Sequence, residues 1–327
     1  MTRKDPKATP RLWTTARLAL GRMIAGGKPK AVVIVNPYAG KLTSADRHEI
    51  VEALGSYFAL ERFTTTARDS AIGIARAAVE GGADLVIAFG GDGHINEVVN
   101  GIAGTQARLG IIPGGTMNVF ARALDIPVDP YAAVDHLVAH RDDSPRIVAL
   151  GKVNDRYFTF SAGCGFDAEA AERVERYLRS KRRLGQFFFF WSAFRVFMGS
   201  YRHRKPGMVL EGSFGSVPVA MAIACNTGPY AYFFGKPIVI APDVKLASGI
   251  DIFALKSMKM EALPLYIWRS VVTGDLVHHD DAFYVNDLAE FSLRSDTPFL
   301  VHVDGEPLAP TSEVSFSLVK DILRVQA

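Results

Sequence analysis

Three short apolar runs, Ala31–Val35, Leu85–Phe89 and Leu109–Ile112, each end in a glycine-rich turn, and a stretch of helical periodicity follows each turn. An uninterrupted apolar run of four or five residues suits a strand buried on both faces. Helices between successive strands imply parallel pairing, because a parallel crossover needs a dozen or more residues. Helical patterns at Ser44–Leu54, Ser70–Glu80, His94–Ala103, Met117–Leu124 and Tyr131–His140, with a further strand at Tyr57–Phe63, complete an α/β domain. Its expected form is a parallel sheet flanked by helices.

The rhythm changes near Arg141–Pro145. Short strands then dominate, including Arg156–Ala162, Val217–Cys225, Ile250–Leu255, Phe299–Val303 and Glu313–Leu318. Helical patterns at Ala168–Phe197 and Leu263–Leu276 interrupt them. This half is expected to be a β-rich, sandwich-like domain with inserted helices. The expected organisation is a basic arm over residues 1–28, an α/β domain over 29–143 and a β-rich domain over 144–307. Residues 308–327 are expected to pack back on the first domain.

A chain of 327 residues with 49% hydrophobic composition can bury a core without disulfides or structural zinc. Its two cysteines, Cys164 and Cys225, lie in apolar stretches and read as core residues of a reducing compartment. Charge is uneven. Residues 1–30 hold eight Lys or Arg against Asp5, a net +7, so the remaining 297 residues total −4 of the overall +3. Such an arm suits an anionic surface. Residues 11–25 read as one amphipathic helix, docked on the protein body or lying in a membrane interface. No run reaches the roughly 20 apolar residues of a spanning helix, and Arg17 and Arg22 interrupt any signal-peptide core. No nucleic-acid recognition motif accompanies the arm.

The three turns are Asn36–Lys41, Gly90–Gly93 and Pro113–Asn118. All lie at carboxyl ends of predicted parallel strands, where open α/β sheets take ligands. Glycine permits close backbone approach, and a helix amino terminus offers free N–H groups to phosphate. Neither a Walker A loop nor a dinucleotide fingerprint is present. The loops therefore point to phosphate binding outside those two folds.

The segment Gly90-Gly91-Asp92-Gly93-His94-Ile95-Asn96-Glu97-Val98-Val99-Asn100-Gly101 resembles the GGDGTxNEVxNG block of the diacylglycerol kinase catalytic-domain family. Asn36-Pro37-x-x-Gly40, Pro113–Arg122, Gly163–Ala168 and Val303–Pro307 resemble that family's NPxSG, PxGTxNxxAR, GxGFDA and DGE blocks, in order, across roughly residues 30–320. The resemblance implies a two-domain lipid kinase using ATP and Mg²⁺. ATP would lie on the α/β domain and the lipid on the β-rich one. It assigns Asn36, Pro37, Gly40, Lys41, Thr66, Gly90, Gly91, Asp92, Gly93, Glu97, Gly115, Thr116 and Asn118 to the nucleotide, Asp92 also to the metal, and Asp167 to substrate. Catalysis would fall to Asp304, Glu306 and Asp92. Asp304 is the preferred general base, with Glu306 orienting it or touching metal, because a lipid hydroxyl needs a carboxylate to accept its proton. Asp304-Gly305 also reads as an ordinary hairpin turn.

Three positions depart from the pattern. His94 stands where the family has threonine, and reads as a solvated side chain or a phosphate contact. Ala39 replaces serine. Leu246–Gly249 lacks the acids of a DDG segment that holds structural Mg²⁺ in the family, leaving Asp243 or Asp251 as substitutes. Seven aromatics lie within Phe187–Phe197, flanked by basic residues, which suits a bilayer interface or packing on the β-domain or a partner subunit. His278–Asp281 reads as a solvated loop, and His302 as a neighbour of Asp304 on the same strand face.

The expected function is phosphoryl transfer from Mg–ATP to a lipid hydroxyl, most plausibly of diacylglycerol. The expected setting is cytoplasmic and peripheral at the inner membrane face, on an anionic membrane surface, with a homodimer compatible. NAD kinase-like chemistry and a non-catalytic lipid- or nucleotide-binding protein are the alternatives.

Overall fold

The computed structural model describes residues 28–40, 42–169, 172, 207–233, 236–246, 248–258 and 262–327. The basic arm, Lys41, the aromatic run at 187–197 and nearly all of the helical pattern at 168–197 lie outside these residues. The chain forms two compact units. One comprises the chain up to Val148 together with Asp321–Ala327, and the other comprises Ala149–Lys320.

The first unit is α/β. Its strands are β1 (Lys30–Val35), β2 (Ala59–Thr64), β3 (Leu85–Gly90) and β4 (Arg108–Pro113). They pair in parallel in the order β2-β1-β3-β4. The carboxyl end of the last strand of the chain joins β4, also in parallel, at Arg324 and Val325. Because β2 lies on one side of β1 and β3 on the other, the winding reverses between β1 and β3. That reversal is the topological switch point where such sheets bind ligands.

The helices are α1 (Ser44–Tyr57), α2 (Ser70–Glu80), α3 (Asp92–Ile102), α4 (Val119–Ala123) and α5 (Pro130–Ala139). Local chemistry sets their starts. Thr43 and Asp46 close a capping box on α1. Asp129 caps α5 ahead of a proline in the first turn. At Gly101 a Cβ would meet Ala75 Cβ at 2.6 Å and the Ile72 carbonyl oxygen at 2.7 Å, so this glycine lets α2 and α3 approach. Val33, Ile34, Ile87, Ala88, Leu109 and Ile111 are wholly or almost wholly buried, as runs covered on both faces must be.

The second unit is β-rich and antiparallel. Strands β5 (Arg146–Val153) and β6 (Arg156–Phe158) form a hairpin. The next strands are β7 (Ser161–Gly165), β8 (Met208–Gly212), β9 (Gly215–Val219), β10 (Met221–Cys225), β11 (Ala231–Phe233), β12 (Lys236–Ile238) and β13 (Ile250–Leu255). Helix α6 (Leu263–Trp268) continues into one π-helical turn, Arg269–Thr273, where the sequence pattern predicts an unbroken helix. Strands β14 (Ala282–Leu288), β15 (Glu290–Phe299), β16 (Val301–Val303), β17 (Glu306–Pro307) and β18 (Thr311–Val325) follow.

One sheet runs β14-β13-β10-β7-β16-β17, and β18-β15-β8-β9 pair in a second. The apolar run Val217–Cys225 is two strands rather than one. At Ala220 the chain leaves its pairing with β8 and joins β7 and β13. Both sheets share a core that includes Phe158, Ala162, Cys164, Leu210, Ile252, Leu293 and Phe316. Phe291 stacks on Phe316 with ring centroids 4.6 Å apart. No helix among the described residues is long and apolar enough to cross a membrane.

Candidate active site

In the first unit the three glycine turns meet. The Asn36 N–H donates to the Phe89 carbonyl at 2.9 Å and the Gly114 N–H to the Gly90 carbonyl at 2.7 Å. Gly40 has φ +64°, and a Cβ there would collide with the Gly114 carbonyl oxygen. A Cβ on Gly115 would come within 2.8 Å of Gly91 Cα. At these points the loops touch through backbone, and a side chain at Gly40 or Gly115 would force them apart. Helix α3 begins at Asp92 with no side-chain cap, so its first N–H groups suit an anion.

The polar residues of these loops divide into two groups. Asn36 Oδ1 accepts the Tyr38 N–H, and Asn118 Oδ1 accepts the Gly115 N–H at 2.9 Å while its Nδ2 donates to the Gly115 carbonyl at 3.2 Å. These two amides shape their own turns. Asp92 Oδ1 accepts the Phe120 N–H at 3.4 Å, across to the start of α4. Glu97 is buried in α3, and its Oε2 accepts the Ala71 N–H at 3.0 Å, bracing α2. Thr116 and Thr66 are exposed, Thr116 in the third loop and Thr66 just beyond β2. Pro37 lies within the first loop, and Gly93 is the second residue of α3.

His94 is neither solvated nor turned to a phosphate. It is 5% exposed, its Nε2 bonds the Ile34 carbonyl at 2.9 Å, and its ring fills the space beside Gly90. Burial pushes its pKa down to about 4, since charge is disfavoured away from water.

In the second unit Asp304 and Gly305 form the hairpin turn between β16 and β17, both with positive φ, +49° and +81°. The Asp304 side chain folds inward. Its Oδ2 accepts from the Thr159 N–H and the Thr159 hydroxyl, each at 2.7 Å, and its Oδ1 from the Phe160 and Ser161 N–H groups, each at 3.0 Å. Four donors occupy the four lone-pair positions of one carboxylate. Burial raises its pKa and the donors oppose that shift. Asn226 holds the same segment from behind, donating to the Thr159 and Ala149 carbonyls. Glu306 differs. It is half-buried and faces Arg156 at 3.5 Å.

Asp167 is also turned inward. It is 6% exposed, its Oδ1 accepts the Tyr230 hydroxyl at 2.5 Å and its Oδ2 meets His302 Nε2. A Cβ on Gly163 would collide with both Asp167 Oδ2 and His302 Nε2, which explains that glycine in the GxGFDA block.

Asp251 is buried, and its oxygens accept the Tyr284 hydroxyl at 2.5 Å and the Asp287 N–H at 3.1 Å. It serves protein donors, as does Asp287, whose Oδ1 accepts the Gly249 N–H. Asp281 anchors its segment by accepting the Ser257 and Tyr266 hydroxyls, so His278–Asp281 is not simply a solvated loop. Burial raises the thiol pKa of Cys164 and Cys225, in keeping with inert core residues.

Sequence reasoning missed Arg47, which holds the first loop by donating to the Ala39 carbonyl at 2.8 Å, and it missed Thr159, Asn226 and Tyr230. None lies in a recognisable motif. Only the polar Thr159 within an apolar run, and Asn226 directly after another, hinted at buried polar work.

The diacylglycerol kinase catalytic domain matches residues 30–153, and the YegS C-terminal NAD kinase beta sandwich-like domain matches residues 161–327. A diacylglycerol kinase of Staphylococcus haemolyticus (strain JCSC1435) is 37% identical over 287 residues, 84% of this chain and 82% of that protein. One of Staphylococcus aureus (strain JH9) is 29% identical over 290 residues, 85% and 86% of the two chains. A diacylglycerol kinase structure from Bacillus anthracis str. Sterne is similar with TM-score 0.70 and 24% identity, over 92% of this chain and 98% of that one. An NAD kinase from Archaeoglobus fulgidus, solved with ATP, reaches TM-score 0.51 at 10% identity over 91% and 93%. These two structural likenesses speak to the fold alone.

Proposed function

We propose, on the premise that this chain belongs to the diacylglycerol kinase family and is a lipid kinase, that it moves the γ-phosphoryl group of ATP to the hydroxyl of a diacylglycerol-type lipid. The observation that carries this reading is the close backbone approach of the Asn36–Gly40, Gly90–Gly93 and Pro113–Asn118 turns at the switch point of the sheet. A cradle whose glycine contacts leave no room for a Cβ, while a helix start presents N–H groups, suits a polyphosphate. Thr66 and Thr116, both exposed, supply hydroxyl donors.

Phosphoryl transfer depends mainly on positioning and charge stabilisation. The half-buried carboxylate of Asp92 beside the cradle suits a hard cation. When bound with the triphosphate, Mg²⁺ would neutralise charge developing on the transferring group. We assign the proton acceptor to Glu306 rather than Asp304. All four acceptor positions of Asp304 are taken by buried donors at 2.7–3.0 Å, whereas the half-buried Glu306 beside the same turn faces Arg156 at a longer 3.5 Å. The lipid O–H gives its proton to Glu306 as the new O–Pγ bond forms and the Pγ–O bond to ADP breaks.

A lipid substrate sets the place of work at a membrane surface, and we expect peripheral attachment there. The deciding experiment incubates the protein with labelled ATP and total membrane lipid, then identifies the labelled product by mass. Label in phosphatidate supports the reading. Label passing to NAD, with lipids unlabelled, would replace it with NAD kinase chemistry. ATP binding without consumption, across a lipid panel, would replace it with a non-catalytic role.

A further inference from the structure

Tyr230, Asp167, His302 and the backbone of Gly305 form one chain of hydrogen bonds in the β-rich unit, buried at Asp167 and His302. Its direction follows from chemistry. The Gly305 N–H can only donate, and it points at His302 Nδ1 at 3.2 Å. Nδ1 must therefore be bare, which puts the imidazole proton on Nε2, facing Asp167 Oδ2. The Tyr230 hydroxyl takes the other oxygen of Asp167. Both His302 and Asp167 are more than nine-tenths buried, at 2% and 6% exposure. The chain ends on Gly305, between Asp304 and Glu306, within a turn whose two central residues both have positive φ. Without a fixed acceptor at Nδ1, the Gly305 N–H would lose the bond that sets the Asp304–Gly305 peptide, one residue before Glu306.

We propose that His302 is a positioning residue. Asp167 and Tyr230 hold its Nε2–H tautomer, and its Nδ1 fixes the Asp304-Gly305-Glu306 turn so that Glu306 is presented for proton transfer. This rests on the reading of Glu306 as proton acceptor. It also gives Asp167 a role through His302 in place of direct contact with substrate.

The test begins with the unaltered full-length chain. Proton-detected ¹⁵N spectra of the imidazole should show His302 protonated at Nε2 and bare at Nδ1; a protonated Nδ1 overturns the proposal. Three variants follow. His302→Leu removes the acceptor and should lower kcat by about 100-fold, the scale of a small misplacement of reacting groups, with the KM for ATP unchanged. His302→Asn returns an acceptor near the Nδ1 position and should recover most of that loss. Asp167→Asn offers an amide donor to Nε2, which favours the Nδ1–H tautomer and should lower kcat with the thermal midpoint largely kept. Equal damage from His302→Asn and His302→Leu would overturn the proposal. Glu306→Gln separates the two readings. If Glu306→Gln turns over normally while His302→Leu is impaired, the acceptor assignment fails and the turn's dependence on His302 stands. If Glu306→Gln is inactive and His302→Leu is normal, the positioning role fails alone.

Discussion

The two units build their functional elements from opposite materials. In the α/β unit the proposed phosphate cradle consists of what is missing. Gly40 against Gly114, and Gly115 against Gly91, leave no room for a side chain. In the β-rich unit the acidic turn consists of side chains that satisfy one another in the interior: Asp304 with Thr159, Phe160 and Ser161, and Asp167 with His302 and Tyr230. A backbone cradle tolerates change beside it but not a methyl group within it. A buried polar network depends instead on which groups donate and which accept. The two should therefore fail differently.

The largest expected effect tests the acceptor. Glu306→Gln should lower kcat by about 10³-fold, within the usual range for a general base, while equilibrium ATP binding stays near normal. Near-normal turnover would remove Glu306 from that role. The next sharpens the cradle. Gly40→Ala adds a Cβ against the Gly114 carbonyl in a left-handed conformation. It should lower kcat/KM for ATP by about 100-fold, readable as lost nucleotide binding with the β-rich unit still folded.

Asp304→Asn comes third and acts on stability. An amide cannot accept from all four donors, and hydrogen bonds to a charged group contribute about 1.5–3 kcal/mol each. Denaturant unfolding should show a loss of about 3 kcal/mol. An unchanged midpoint with abolished turnover would restore Asp304 as the base.

The smallest effect concerns pH. The folded-state pKa of His94 lies below its ordinary value, so the unfolded chain binds the proton more readily. His94 therefore contributes stability above about pH 6.5 that is lost as pH falls toward about 4, up to about 3 kcal/mol. Thermal melts across that window should flatten in His94→Thr. A wild-type curve no steeper than the variant's would show that His94 is not held neutral.

The parallel α/β unit was legible because its signals are local. Strands such as Leu85–Phe89 are continuous apolar runs, and the glycines that close them sit within a few residues. Even there, the roles of Asn118, Glu97 and His94 were not legible, since each depends on which backbone group lies opposite: Gly115, Ala71 and Ile34. The β-rich unit was legible only as a class. Val217–Cys225 carries no mark of the place where it changes partners. Asp304 meets Thr159 across 145 residues and His302 meets Asp167 across 135.

From the sequence alone came the kinds of elements, their order, the glycine turns and the family blocks, because hydrophobic period and turn chemistry act over a few neighbouring residues. The tertiary structure alone decided which carboxylate is saturated by buried donors, as Asp304 is, and which histidine nitrogen faces a backbone N–H, as His302 Nδ1 does. Those outcomes depend on donors delivered by strands distant in the chain, and a hydrogen bond depends on where its partner lies in space, whatever the intervening number of residues.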